Sequence, residues 1–312
     1  MFLNNEAAMF KKILFATSAT EACDHAARVA FDMARRYHAH IDVFHVLGVP
    51  TRGYSQVVVD LTTGDEVTLD DNYRDLVKEE IRSYYDHQIQ TTDDFAITVT
   101  IGHPHREILR IARAEKPDII VMGGSTGASG SYAHIKAATG STFQRVAKAA
   151  HFPVLVINRP AASFWGGFFN VVFATDFSDA ADHAFAFAFK LVKELNCEFH
   201  LFHALDITCF QTDNFHTQDT IDDQIRNAIA QIRFRYVSKM GDFKPYAMEV
   251  WEGIPFVEIV KYAREKQADL IIMAYNTRQT DDPEASIGSV AEQVILRANC
   301  PVISINRSVG KE

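Results

Sequence analysis

The sequence predicts an α/β protein made of two tandem doubly wound domains, each built on a five-stranded parallel sheet. Three observations carry that expectation. First, short apolar runs alternate with segments whose apolar residues recur at helical spacing, the pattern of helices covering a parallel sheet. Second, the order of these runs repeats. Phe15-Ala16-Thr17-Ser18 returns as Phe173-Ala174-Thr175-Asp176, and Asp24-His25-Ala26 returns as Asp182-His183-Ala184, both 158 residues on. Gly102-His103-Pro104 with Glu107-Ile108 matches Gly253-Ile254-Pro255 with Glu258-Ile259, and residues 118–122 match 269–273, now 151 residues on. Gly140-Ser141 matches Gly288-Ser289 and Pro153-Val154 matches Pro301-Val302 at an offset of 148. Offsets that shrink only at loops are what duplication followed by loop trimming leaves. Third, 312 residues with 47% hydrophobic composition suffice for two cores. The expected division is a first domain over residues 1–158, a linker over 159–169 and a second domain over 170–312. The linker's Trp165, Phe168 and Phe169 argue against a freely solvated tether.

Taken in order, Lys12-Ile13-Leu14-Phe15-Ala16 is the first strand, ending in a polar turn whose Thr20 is placed to cap a helix. Cys23, Ala26, Ala27, Ala30, Met33, Ala34 and Tyr37 form one apolar face of that helix, which ends near His38. A strand follows over residues 41–47. Residues 48–68 have no sustained period and read as a long excursion. Leu69, Tyr73, Leu76, Val77, Ile81 and Ile89 mark a second helix. Residues 95–101 alternate as a strand, and Gly102-His103-Pro104 turns into a helix with proline in its first turn, where the missing N–H costs nothing. A strand over 118–122, a glycine-rich loop, a helix over 141–150 and a strand over 153–157 complete the copy. In the second copy, Phe185-Ala186-Phe187-Ala188-Phe189 alternates like a strand, yet the register of the repeat makes it helix.

Composition narrows the function. A net charge of −9 with dispersed Lys and Arg disfavours general nucleic-acid binding. Cys23, Cys197, Cys209 and Cys300 show no Cys-x-x-Cys spacing, so neither a zinc knuckle nor a disulfide framework is expected. No run reaches the ~20 apolar residues of a membrane span, and the N-terminus lacks a basic n-region. The expectation is a cytoplasmic protein. The loop lacks Gly-x4-Gly-Lys-Ser/Thr, and no Gly-x-Gly-x2-Gly follows a first strand, which disfavours a P-loop enzyme or an NAD dehydrogenase. His38-x-His40 and His103-x-His105 lie at turns without Cys or carboxylate partners and read as ordinary histidines. Asp24-His25 and Asp182-His183 lack a nucleophile elbow and read as first-turn helix residues.

The loop over residues 123–142 is the principal candidate site. Its glycines permit positive φ and close backbone approach, and Gly140-Ser141-Thr142 opens a helix whose free N–H groups attract phosphate. With these marks, together with His45-Val46 and His203-Ala204 closing the second strands and the fifth strands at residues 153–157 and 301–305, each half resembles a universal stress protein domain. The whole chain resembles the tandem members of that family over residues 11–307.

The resemblance implies the adenine nucleotide alpha hydrolase-like fold with strand order 3-2-1-4-5. Strands one and four then flank the switch point where open α/β sheets bind ligands. It implies an adenine nucleotide ligand, ATP, ADP or AMP, with magnesium, held by an acid after the first strand and a Gly-x2-Gly-x9-Gly-Ser/Thr loop. Carried onto this chain, the first cleft comprises Thr17, Ser18, Val46, Gly123, Gly124, Thr126, Gly127, Gly140, Ser141 and Thr142. The second comprises Asp176, Ala204, Ala274, Thr277, Gly288, Ser289 and Val290.

Each copy departs from the pattern in a different half. The first has Ser18 where the acid belongs, and its loop is longer than the pattern whether read from Gly124 and Gly127 or from Gly123 and Thr126. The second keeps Asp176 but has Ala274 and Thr277 for glycines, with Asp281, Asp282 and Glu284 adding negative charge. The first cleft is therefore the better phosphate site. His134 and Lys136 lie in its loop and read as solvated. No general base or metal cluster stands out, so the expected role is regulatory, with at most slow ATP hydrolysis. The alternative is a stress scaffold without nucleotide, acting through protein partners or another small ligand. Its fifth strands are apolar edges, and an intramolecular pseudo-dimer through them is the expected cover.

Overall fold

A computed structural model describes residues 8–48, 57–59, 66–68, 71–124, 142–158, 170–207, 218–275 and 290–306. The chain divides into two compact units, Met1–Phe152 and Pro153–Glu312.

The first unit contains β1 (Lys12–Thr17), α1 (Asp24–Tyr37), β2 (His40–Gly48), β3 (Val57–Val59), β4 (Glu66–Thr68), α2 (Asp71–Tyr84), α3 (Asp86–Ile89), β5 (Phe95–Gly102), α4 (Pro104–Glu115), β6 (Ile119–Gly123) and α5 (Thr142–Ala149). Its sheet runs β5-β2-β1-β6, all parallel, with Phe15 opposite Val43 and Val121. Strands β3 and β4 form a separate antiparallel pair inside the excursion. Three residues each are too few to show a period.

The second unit contains β7 (Val154–Ile157), β8 (Asn170–Ala174), α6 (Asp179–Leu195), β9 (Glu198–Asp206), α7 (Gln218–Arg235), β10 (Tyr246–Gly253), α8 (Pro255–Glu265), β11 (Leu270–Ala274), α9 (Val290–Arg297) and β12 (Val302–Ile305). Its parallel strands lie in the order β10-β9-β8-β11-β12, the 3-2-1-4-5 topology. Strand β7 pairs antiparallel with β12, Val156 opposite Val302 and Val154 opposite Ser304.

The central strands are buried on both faces, which is why they read as unbroken apolar runs rather than alternating ones. Phe15 packs edge-on to Phe31 and Tyr85, and Phe173 does the same with Phe185 and Tyr236. Such pairs add about 0.5–1.5 kcal/mol beyond burial. Two repeated residues owe their recurrence to the scaffold. Asp118 Oδ2 accepts from the backbone N–H groups of Lys11 (2.6 Å) and Lys12 (2.9 Å), and Asp269 Oδ2 accepts from that of Asn170 (3.0 Å), so the two acids fix the entries of β1 and β8. Gly102 and Gly253 leave room for Glu107 and Glu258, whose Cγ atoms would lie 2.8 and 2.7 Å from an added Cβ.

Helix α1 differs from expectation at its start. Thr20 makes no side-chain cap; its hydroxyl pairs with that of Ser18 at 2.9 Å, and a 3-10 turn over Glu21–Cys23 leads into the helix. His38 closes it at φ 49°. In the second unit Ser178 does cap α6, its Oγ accepting from Ala181 N at 3.2 Å.

Candidate nucleotide crevice

The site is built on the turns after β1 and β8, and the turn is held the same way twice. Thr17 Oγ1 is buried and accepts from Ala19 N (2.9 Å), while sharing a 2.6 Å hydrogen bond with the Tyr85 hydroxyl. Thr175 Oγ1 accepts from Phe177 N (3.0 Å) and shares a 2.7 Å bond with the Tyr236 hydroxyl. These contacts hold Ala19 and Phe177 at φ 52° and 59°, a conformation that L-residues adopt only under constraint. His45 and His203 complete the frame: the Nδ1–H of each donates to the carbonyl of Thr17 (2.9 Å) or Thr175 (2.8 Å). Burial lowers both pKa values. Each ring is thus a neutral imidazole whose protonated nitrogen is committed to the strand end.

This frame presents residue 18 or 176 at the mouth of the crevice. Asp176 is exposed and its Oδ1 accepts from Ser178 N at 3.0 Å. Ser18 is half-buried, with its hydroxyl 2.9 Å from Thr20 Oγ1 and 3.3 Å from Cys23 Sγ. Pairing of β1 with β6 sets Ala16 opposite Met122, so Thr17 and Gly123 end adjacent strands. An added Cβ at Gly123 would lie 3.1 Å from Ala22 O and 3.2 Å from Cys23 Sγ. Ser18, Cys23 and Gly123 are therefore contiguous, and a side chain at this glycine would crowd the chain entering α1.

The fourth strands end differently in the two units. Gly123 is followed by a buried Gly124. Ala274 is followed by Tyr275, only 2% exposed, whose N–H donates to Ile305 O at 2.8 Å and whose hydroxyl donates to Glu292 on α9. Val46 is half-buried and Ala204 is buried, each one residue beyond the framing histidine. Thr142 and Val290 open α5 and α9. Thr126, Gly127, Gly140, Ser141, Thr277, Gly288 and Ser289, like the linker, lie outside the described residues.

The repeated Asp-His pairs have structural partners. Tyr84 OH donates to Asp24 at 2.9 Å, and Arg235 makes a forked contact with Asp182 at 2.8 and 3.2 Å. Sequence reasoning missed Tyr85 and Tyr236, although their 151-residue spacing matches that of the later repeat marks. It also missed Cys23 as a wall of the first crevice and Tyr275 as a closure in the second.

A doubly wound sheet with a rigid turn and crevice at the ends of strands one and four defines a class of α/β ligand-binding folds. The chain belongs to the Universal stress protein family, whose model matches twice, over residues 9–158 and 167–306. A universal stress protein of Methanocaldococcus jannaschii is 31% identical over 140 residues, 44% of this chain and 82% of that one. The crystal structure of a universal stress protein from Archaeoglobus fulgidus covers 99% of this chain and 100% of its own, with 21% identity and a TM-score of 0.68. A putative universal stress protein from Pseudomonas aeruginosa covers 96% of this chain and 95% of its own, with 15% identity and a TM-score of 0.59. Both likenesses bear on the fold. Among the described residues no helix is long and apolar enough to cross a membrane.

Proposed function

We propose that this chain is a cytoplasmic stress-response regulator that binds one adenine nucleotide, ATP, ADP or AMP, with magnesium as counter-ion, in the crevice of its first unit. The observation that carries the choice of crevice is the contrast at the end of the fourth strand. The first unit offers Gly123-Gly124 there, and the second offers Ala274 and a buried Tyr275 tied to Glu292. With the space beside Gly123 taken by Ala22 and Cys23, it is Gly124, also without a Cβ, that permits the backbone to approach a ribose or phosphate; a tyrosine fixed under a helix does not. The first-strand turn supports the same reading, because Thr17, Tyr85 and His45 hold residue 18 in place before any ligand arrives. Pre-organisation of this kind lowers the ordering cost of binding. Thr126, Gly127, Gly140, Ser141 and Thr142 are the phosphate-side residues in this reading, with Val46 at the base.

The second crevice keeps its acid, Asp176, and in this reading is empty or holds a less charged adenine compound between Ala204, Thr277, Gly288, Ser289 and Val290. A pseudo-dimer made through the two fifth strands, residues 153–157 and 301–305, belongs to this reading as a proposal. A domain boundary at residues 159–169 fits the two family matches.

Calorimetric titration of ATP, ADP and AMP with magnesium tests the reading on the wild-type chain and on Gly127→Val and Ser141→Ala. Binding that both substitutions weaken while the circular dichroism spectrum is unchanged supports the first crevice. Binding that neither changes removes it.

A further inference from the structure

The duplication gives each turn residue a counterpart, and at one position the two crevices differ by a whole ring. Ala19 and Phe177 occupy the same place. Each N–H donates to the threonine Oγ1 two residues back, at 2.9 and 3.0 Å, and each residue is held in the left-handed region, at φ 52° and 59°. Their Cα–Cβ bonds therefore leave the turn in the same direction. In the second unit the Phe177 ring lies on the imidazole of His203, with centroids 4.4 Å apart and planes 35° apart, and it runs nearly parallel to Tyr236, 12° off at 6.4 Å. In the first unit the methyl group of Ala19 ends where that ring begins. His45 and Tyr85 stand where His203 and Tyr236 stand, joined to the strand end by the same hydrogen bonds. Among the described residues no aromatic ring lies against His45.

Resting on the nucleotide reading of this crevice, we propose that the face of His45 left open by Ala19 is the platform on which the ligand's base stacks, a purine taking the place that Phe177 fills in the second unit. The copy shows what the place accepts: a flat aromatic ring against an imidazole, at the separation of an aromatic pair. Imidazole is among the side chains on which nucleobases stack. The His45 ring is also ready for a base before one arrives, because its Nδ1–H is committed to Thr17 O at 2.9 Å, so little is lost in ordering it on binding. Burial holds it in the neutral form, and a base landing on it displaces no ionic hydration. Thr17 is opposite His45 in the register of β1 with β2, which sets the base beside Ser18 and on the other side of β1 from Gly124, the approach for ribose and phosphate. Phe177 covers the corresponding face in the second unit, a further reason for the first crevice to be the one that takes nucleotide.

The probe is whichever of ATP, ADP and AMP binds the wild type tightest by calorimetry, with ribose 5-phosphate as the control that has no base. In NMR spectra of the full chain with isotope-labelled histidine, the His45 ring signals are identified by their loss in His45→Gln. They are expected to move upfield on adding the nucleotide, as the ring current of a stacked purine requires, and not on adding ribose 5-phosphate. Ala19→Phe gives the first turn the side chain that the second already carries at the same φ, and is expected to raise the Kd of the nucleotide roughly 5- to 150-fold with a wild-type melting curve. The shift is read on the wild type, so it decides the question even where Ala19→Phe does not fold. A nucleotide that binds without moving the His45 signals, or moves them no more than ribose 5-phosphate does, overturns the platform and leaves the nucleotide reading standing. So does a folded Ala19→Phe chain that binds the nucleotide as the wild type does. A wild type that binds none of the three nucleotides overturns both.

Discussion

Replacing Ser18 with Asp should convert the weaker half of the first crevice into the form the second crevice already has. In the second unit, Asp176 stands at the exposed mouth and its Oδ1 accepts from Ser178 N at 3.0 Å. The first unit has the same turn, held by Thr17 and the Ala19 N–H, so a carboxylate introduced at position 18 would find Thr20 N where Asp176 finds Ser178 N. Its second oxygen can accept from the exocyclic amine of adenine, where serine offers a neutral hydroxyl already engaged with Thr20 and Cys23. A hydrogen bond to a charged group contributes about 1.5–3 kcal/mol, which corresponds to a Kd lower by roughly 10- to 150-fold. Calorimetry of AMP is the cleaner assay, because AMP carries less phosphate charge to repel the new carboxylate. An AMP affinity that is unchanged or lower in a variant with a wild-type melting curve would refute the proposed placement of adenine.

Further expectations follow from the same geometry. Thr17→Val removes the acceptor of Ala19 N–H and the partner of the buried Tyr85 hydroxyl, at about 1–3 kcal/mol for each group left unsatisfied; Tyr85→Phe removes one hydrogen bond cleanly and should cost less, and urea denaturation that ranks them the other way contradicts the frame. Gly123→Ala drives a Cβ toward Ala22 O and Cys23 Sγ and should destabilise the chain by about 1–3 kcal/mol, so an unchanged urea midpoint would show that the α1 entry yields freely. Acid should act on two buried groups with opposite sign. His200 is held below its ordinary pKa by burial, so as pH falls below about 6.5 the unfolded chain takes up the proton first and stability is lost until the native ring titrates. Asp42, at the same strand position in the first unit, has its pKa raised by burial; its charged form is disfavoured in the native state, so it costs stability above that raised value and the cost fades in acid. Asp42→Asn should therefore raise the denaturation midpoint at about pH 7 and lose that advantage at about pH 4; a stabilisation that is independent of pH would assign the effect to packing.

The strands of the parallel sheets, their covering helices and their order were legible because burial on both faces writes itself as apolar runs, and because the marks could be checked against their copies; the short pair β3 and β4 was not, and the second helix, read as one through Ile89, is divided into α2 and α3. Phe185, Phe187 and Phe189 show the value of that check, since their alternation alone points to a strand and they lie in α6. The hydrogen-bonded frame of the crevice was not legible. Thr17 and Tyr85 are 68 residues apart and Thr175 and Tyr236 are 61 apart, and nothing in local periodicity links a turn hydroxyl to a phenol at the end of a distant helix. Gly123 was read as a ligand-facing glycine, whereas the contact with Cys23 gives it a packing reason of its own. The partner of a glycine is a tertiary fact. Asp42 and His200 escaped notice because a single polar residue inside an apolar strand looks like an outward-facing position until both faces of the strand are covered.

The most direct test of the account is the identity of what the chain carries. The protein purified without added ligand would be denatured and the released small molecules identified and quantified by mass spectrometry, for the wild type beside Gly127→Val. The account predicts a single adenine nucleotide per chain, depleted in the variant. Release of no nucleotide, with no heat on titrating millimolar-range ATP and magnesium, would contradict it and leave the partner-binding scaffold as the function to pursue.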